Sequence, residues 1–136
     1  RAQRMLLGWL SEEPGLYPHV KKYLTPRDFK EDLYQKVAER MFRELEEGNV
    51  NPAGIISMFE DEEQQRETAA IFASGPPVTE TAPEKEKAFR DILLWVKQNS
   101  YEYDMAHTGV DVDALTRALE GRKALEELAK AHISLD

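Results

Sequence analysis

The stretch from Asp28 to Gly48, DFKEDLYQKVAERMFRELEEG, decides the fold class. Phe29, Leu33, Val37, Met41 and Leu45 recur every fourth residue, and Tyr34, Ala38 and Phe42 widen that row into an apolar face. Spacing of this kind places one stripe of a helix against a core and leaves charged residues on the other side. Gly48 follows the last periodic position, where a left-handed C-terminal stop needs glycine. Just upstream, Thr25 is a suitable N-cap, Pro26 suits a first helical position and Asp28 complements the positive helix end.

The same signature extends in both directions. Met5, Leu6, Trp9 and Leu10 give residues 2–12 one apolar face, and Pro14-Gly15 ends that helix. A short helix spans Leu16 to Tyr23, with Pro18 in its first turn. Downstream, Asn51 and Pro52 open a segment whose Ile55, Ile56 and Phe59 turn inward. DEEQQRETAAIFAS (61–74) opens on three acids and carries Ala69, Ala70, Ile71 and Phe72 at its apolar end. GPPVTETAP (75–83) is the one clear linker, and it is short. A long helix from about Pro83 to His107 follows, with Phe89, Ile92, Leu93, Val96, Tyr103 and Met105 or Ala106 marking its buried side. Its spacing loosens at Asn99-Ser100, where helix propensity dips, which predicts a bend or break. HTGVDVD (107–113) is a turn, and a last helix runs from about Val112 to His132 with Leu115, Leu119, Leu125 and Leu128 on its apolar side. Two helices joined by so short a turn form an antiparallel hairpin. No period-2 alternation and no Asn-Gly turn suggests a strand. The expected architecture is therefore all-α: a compact multi-helix bundle over residues 1–97, then a long helix leading into a C-terminal antiparallel helical hairpin over residues 98–136.

Composition narrows the function. A chain of 136 residues suits one domain that folds without disulfides or metals. It contains no cysteine, which removes disulfides, thiol nucleophiles and cysteine metal sites, and is consistent with a reducing compartment. No apolar run approaches the roughly 18 residues of a membrane helix. RAQRMLLGWLSEE (1–13) has too short an apolar patch for a signal peptide and no small-residue cleavage site, so it is expected to be an internal segment of a longer protein. The 18 basic and 26 acidic residues give a net charge of −8, with acids in excess on both sides of Pro83. That balance disfavours a nucleic-acid surface and favours a protein partner.

Catalytic constellations are missing. No serine sits in a nucleophile-elbow setting. His19, His107 and His132 are far apart, and none has a histidine at ligand spacing. The acids from Glu60 to Glu67 lack the spacing of a calcium loop and are ordinary at a helix start. A small hydrolase built on them would need them to converge in one pocket. No phosphate-binding glycine pattern occurs. Gly8 and Gly121 stand inside apparent helices, where glycine costs about 1 kcal/mol relative to alanine, so each suggests close approach of another helix. Trp9 and Trp95 are expected in or near the core. Tyr101 and Tyr103 are two apart on one helix, so at least one is expected at the surface or in an interface.

The terminal stretch RALEGRKALEELAKAHISLD (117–136) carries Ala129, Ala131, Ile133 and Leu135 beyond its main leucine row. A helical hairpin cannot bury both its faces alone, so the bundle or a partner must cover it. The order of AQRMLLGWL, YLTPRDFKEDLYQKVAERMFRELEEG, AFRDILLWVKQNSYEYDM and DALTRALEGRKALEELAKAHISL resembles the C-terminal helicase-binding domain of bacterial DNA primase. The resemblance spans the whole chain, and Gly121 departs from the polar helix former usual before Arg122-Lys123. It implies a non-catalytic, cytoplasmic domain, monomeric in isolation, whose partner is the replicative DNA helicase hexamer, with no direct nucleic-acid or membrane contact. Zinc and magnesium would belong only to absent upstream domains, and no cofactor is expected in this one. The hairpin would make the main contact, through Tyr101, Asp104 and His107 on its first arm and Arg117, Arg122, Lys123, Glu126, Glu127, Ile133 and Leu135 on its second. The alternatives are the N-terminal domain of the helicase itself, which has a similar fold, and an unrelated helical adaptor domain.

Overall fold

The computed structural model describes residues 1–109 and 111–135. Among them the chain forms seven α-helices and no strand, so the all-α expectation holds. In order these are α1 (Ala2–Glu12), α2 (Tyr17–Lys21), α3 (Asp32–Glu47), α4 (Pro52–Ser57), α5 (Glu62–Phe72), α6 (Ala82–Ala106) and α7 (Val112–Lys130). Short 3-10 turns at Pro14–Leu16 and Pro26–Asp28 join the first three.

Helix α1 is the centre of the core. Leu6, Leu7, Trp9 and Leu10 are all fully buried, more than a one-sided helix would bury. The helix is enclosed by α5 and α6 on different sides. Gly8 makes the first of these contacts possible, because a Cβ there would lie 2.5 Å from the Ile71 carbonyl oxygen. Trp9 meets Phe89 of α6 edge-on at 5.3 Å, and its indole N–H donates to Glu13 at 3.2 Å. Glu13 in turn pairs with Lys85 at 2.8 Å, so α1 and α6 are joined by both an aromatic and an ionic contact.

The helix predicted from the DFKEDL stretch starts later than its pattern. Thr25 and Asp28 make a reciprocal capping box, but around the 3-10 turn Pro26–Asp28. The chain then extends through Phe29, which is fully buried, before α3 begins at Asp32. Phe42 of α3 packs in edge-to-face arrangements with Tyr17 and Phe29, ring centres 5.3 and 6.0 Å apart. At the other end Gly48 adopts φ +82° and stops α3. Glu44 reaches past that stop to accept the Asn51 N–H at 2.8 Å, which orients α4. On α5, Thr68 and Ile71 are buried, whereas Ala69 and Ala70 are exposed.

Helix α6 runs without interruption from Ala82 to Ala106, so the chain does not break at Asn99-Ser100. The apolar row breaks there for a different reason: Ser100 is buried and donates to the Asp28 carboxylate at 2.7 Å. Helix α7 returns antiparallel along nearly all of α6, with Gly121 beside Tyr101 and the Leu135 N–H donating to Glu86. The division at 97/98 therefore falls inside a continuous helix. The hairpin begins at Ala82 and includes the helix that packs against α1.

Candidate partner-binding surface

One row of α7 is seated on α6. Ala114, Ala118, Gly121 and Leu128 are buried and Leu125 is half-buried, at successive spacings of four, three, four and three. Three of these are small, which lets the two backbones approach. Leu115 and Leu119 were expected on that buried side. Each lies one residue along, a turn of about 100° on a helix, and each is exposed, at 46% and 57%. Val112 lies on their face and is exposed as well.

The end of α6, at the same end of the hairpin, is exposed as well. Tyr103 and Met105 are each 45% exposed and Ala106 is exposed, so the expected buried side stops at Ser100. The physical reason is that the contact from the bundle turns polar there: the core row of α6 ends at Val96, and beyond Ser100 Lys30 pairs with Asp104. Tyr103 finds local partners instead. It stacks on His107 with ring centres 3.9 Å apart, and the Lys30 ammonium lies 5.2 Å from its centroid. The His107 ring is further fixed by a 2.7 Å contact from Nδ1 to the Tyr103 carbonyl oxygen. Exposed apolar side chains thus gather at the turn end of the hairpin. Patches of this kind on a small domain mark contact surfaces more often than chance.

The residues expected to bind a partner divide into three groups. His107, Arg122, Lys123, Glu126 and Glu127 are exposed, and Arg122 and Glu126 pair with each other at 3.5 Å. Tyr101, Asp104 and Arg117 are half-buried, Tyr101 against Gly121 of α7 and the other two beside residues 25–30. Asp104 is engaged by Lys30 at 2.9 Å, with both side chains under one-fifth exposed, so its charge is already met within the chain. Ile133 and Leu135 form the third group. After α7 ends at Lys130, two residues short of the expected stop, the chain leaves the helix and folds back on the start of α6. Ile133 is buried in the main core and Leu135 packs against it. They are therefore covered by the bundle, which corrects the expectation of a free apolar end.

Trp95 reverses its expectation too. It is 65% exposed on the outer side of α6, whereas Trp9 is fully buried. The row Phe89, Ile92, Leu93, Val96 that buries α6 is flanked by Trp95 rather than containing it. A single apolar residue at the margin of a helical stripe is assigned by neighbouring elements, which the pattern does not contain.

The polar joint beneath the hairpin has no signature in the sequence. Asp28, held in the 3-10 turn, accepts from the Thr25 N–H at 2.9 Å, Ser100 Oγ at 2.7 Å and Lys97 Nζ at 3.1 Å. With Lys30–Asp104, it ties residues 25–30 to α6 over the stretch 97–104. The groove beside this joint is about 580 Å³ and is lined by Arg27, Glu39, Arg117 and Glu120 among others, an even mix of charge.

The acids Glu60, Asp61, Glu62 and Glu63 are all exposed; Glu60 and Asp61 line a groove of about 650 Å³ together with Glu39 and the basic Lys36, Arg40 and Arg43, and no group of three potential metal ligands occurs among the described residues. Among those residues no helix is long and apolar enough to cross a membrane. No protein-family model, curated protein or solved structure matches the chain.

Proposed function

We propose that this chain is a non-catalytic docking domain, the helicase-binding domain of a bacterial DNA primase, and that it engages the N-terminal domain of the replicative helicase through the turn end of the α6–α7 hairpin. The observation that carries the reading is the row Val112, Leu115 and Leu119, three large apolar residues exposed on one face of α7 within two turns of the hairpin tip. The primase resemblance supplies the identity of the partner. The exposed charges Arg122, Lys123, Glu126 and Glu127 continue along α7 from that row and would set orientation and association rate, while the apolar row provides affinity. Primer synthesis and its zinc and magnesium would reside in other domains of the parent protein. The domain would act in the cytoplasm, as a monomer until it meets the helicase ring.

The contact is tested by titrating the chain onto the helicase N-terminal domain in a calorimeter. Leu115→Asp and Leu119→Asp should each weaken binding at least tenfold, a loss of about 1.4 kcal/mol or more, with the thermal midpoint unchanged because both side chains are exposed. Undetectable binding by the unaltered chain, or affinity indifferent to both substitutions, would overturn the reading. Deleting residues 120 to 136 is a poorer test, since it also takes Leu128 and Ile133 out of the core. If the chain were instead the helicase's own N-terminal domain, it would bind a primase hairpin and not the helicase fragment.

A further inference from the structure

Helix α7 carries two rows at the spacing by which helices pack together. Ala114, Ala118 and Gly121 belong to the row seated on α6. Val112, Leu115 and Leu119 form the other, three and four residues apart, and nothing in the chain covers it: they are 73%, 46% and 57% exposed. Alternating steps of three and four make a helix–helix seam. An extended segment reads every second residue and does not match them. The next positions of this seam are Arg122 and Glu126, which pair with each other at 3.5 Å. Its apolar part therefore runs from 112 to 119, a length of about 10 Å at about 1.5 Å per residue.

Charge along these two turns is one-sided. The exposed charged residues from 111 to 120 are Asp111, Asp113 and Glu120, all acids. The one cation in that span, Arg117, is half-buried and lines the groove beside residues 25–30. We infer that the vacant seam receives an amphipathic helix whose apolar stripe is flanked by lysine or arginine. The inference rests on the docking reading above and adds the chemistry of the partner element. A second copy of this chain is the wrong occupant, because it brings the same acids against one another and each copy carries a net charge of −8. Basic flanks meet the acids at the rim, where they set orientation and association rate, while the three apolar residues exclude water.

Nitrogen-15 NMR titration of the whole chain tests this with three capped peptides of about 20 residues, long enough to hold a helix alone. The first has a leucine stripe at steps of three and four with lysine flanks, the second the same stripe with glutamate flanks, and the third lysine flanks with the stripe changed to serine. The lysine–leucine peptide should give saturable shifts of the Leu115 and Leu119 amides. The glutamate peptide should bind at least about tenfold more weakly, with the gap narrowing as salt rises. The serine peptide should not saturate. No saturation by the lysine–leucine peptide, equal affinity of the glutamate peptide, or equal affinity of the serine peptide would each overturn the inference. So would shifts of the same amides on concentrating the chain alone, which would assign the seam to a second copy. Asp113→Asn combined with Glu120→Gln should bring the lysine and glutamate peptides closer in affinity, and an unchanged gap would count equally against it. The comparison on the unaltered chain decides the matter should that variant fold poorly. Failure here is distinct from failure of the docking reading. Helicase binding that is lost in Leu115→Asp, with no preference for the lysine peptide, removes this inference alone. A lysine peptide that saturates at the seam while the helicase fragment does not bind removes the helicase and keeps the basic helix.

Discussion

A Cβ at Gly8 would have to occupy space 2.5 Å from a backbone oxygen of Ile71, and backbone yields less easily than a side chain. The corresponding Cβ at Gly121 would meet Tyr101 at 3.7 Å, an ordinary contact. The two glycines look alike in the sequence, each inside a helix, but the substitutions should act in opposite directions. Gly121→Ala should raise stability by up to about 1 kcal/mol through helix propensity, whereas Gly8→Ala should lower it by forcing α5 off α1. Thermal midpoints of both variants check this. Tyr17 allows a second prediction. Its burial, with a 2.8 Å bond to the Glu46 carboxylate, pushes the phenol up to about 12 from its ordinary 10. A raised phenol favours the protonated, folded form. The stabilisation is therefore whole below pH 10 and is lost as pH rises from about 10 through about 12. Tyr17→Phe should flatten that part of the stability profile, measured by urea unfolding at pH 9, 10.5 and 11.5. An equally steep decline in the variant would assign the loss to other groups.

At the scale of elements, what α6 rests on changes along its length. Up to Val96 it is held by Phe89, Ile92 and Leu93 in the core, and from Lys97 to Asp104 by the carboxylate joint to residues 25–30. Asp28 has three donors around it and is almost wholly buried. Removing it strands the Lys97 charge in a site only 12% exposed. Asp28→Ala should cost about 3 kcal/mol, while Asp32→Ala, which breaks only the exposed pair with Lys36, should leave the denaturation midpoint within error. Equal effects would mean that the joint holds α6 no more firmly than an exposed ion pair does. Periodicity foretold the helices themselves, the stop at Gly48 and the antiparallel return of α7, because each follows from local chemistry. It did not place Asp28 under Ser100, since nothing in either residue's neighbourhood names a partner 72 positions away. Nor did it separate the two rows of α7. Hydrophobicity ranks Leu115 and Leu119 above Ala114 and Ala118, and the leucines were accordingly assigned to the buried side. Close approach of α6 reverses that order along the first half of α7, where the seated positions 114, 118 and 121 are small. The run Ala114, Ala118, Gly121 was the available signal.

For the molecule as a whole, the hairpin is not an appendage. One end of it holds Leu128 and Ile133 in the same core as Trp9 and Leu6, while the other end carries the exposed leucines out past the bundle. A single pair of helices thus joins the core to the proposed contact surface, and the tip can project only because the base is buried. This arrangement predicts one cooperative unfolding unit rather than a bundle with an independently melting arm. Leu128→Ala removes a fully buried side chain from the base of the hairpin and should cost about 2–5 kcal/mol. In a Trp95→Phe background the only tryptophan left is Trp9, at the centre of α1. If base and bundle share a core, Leu128→Ala should move the Trp9 fluorescence transition and the far-ultraviolet circular dichroism transition together, to the same lower urea midpoint. A Trp9 transition left where it was, with only part of the helical signal lost early, would mean that the arm melts alone. The two leucines at the tip would then be carried by a lever with no fixed support.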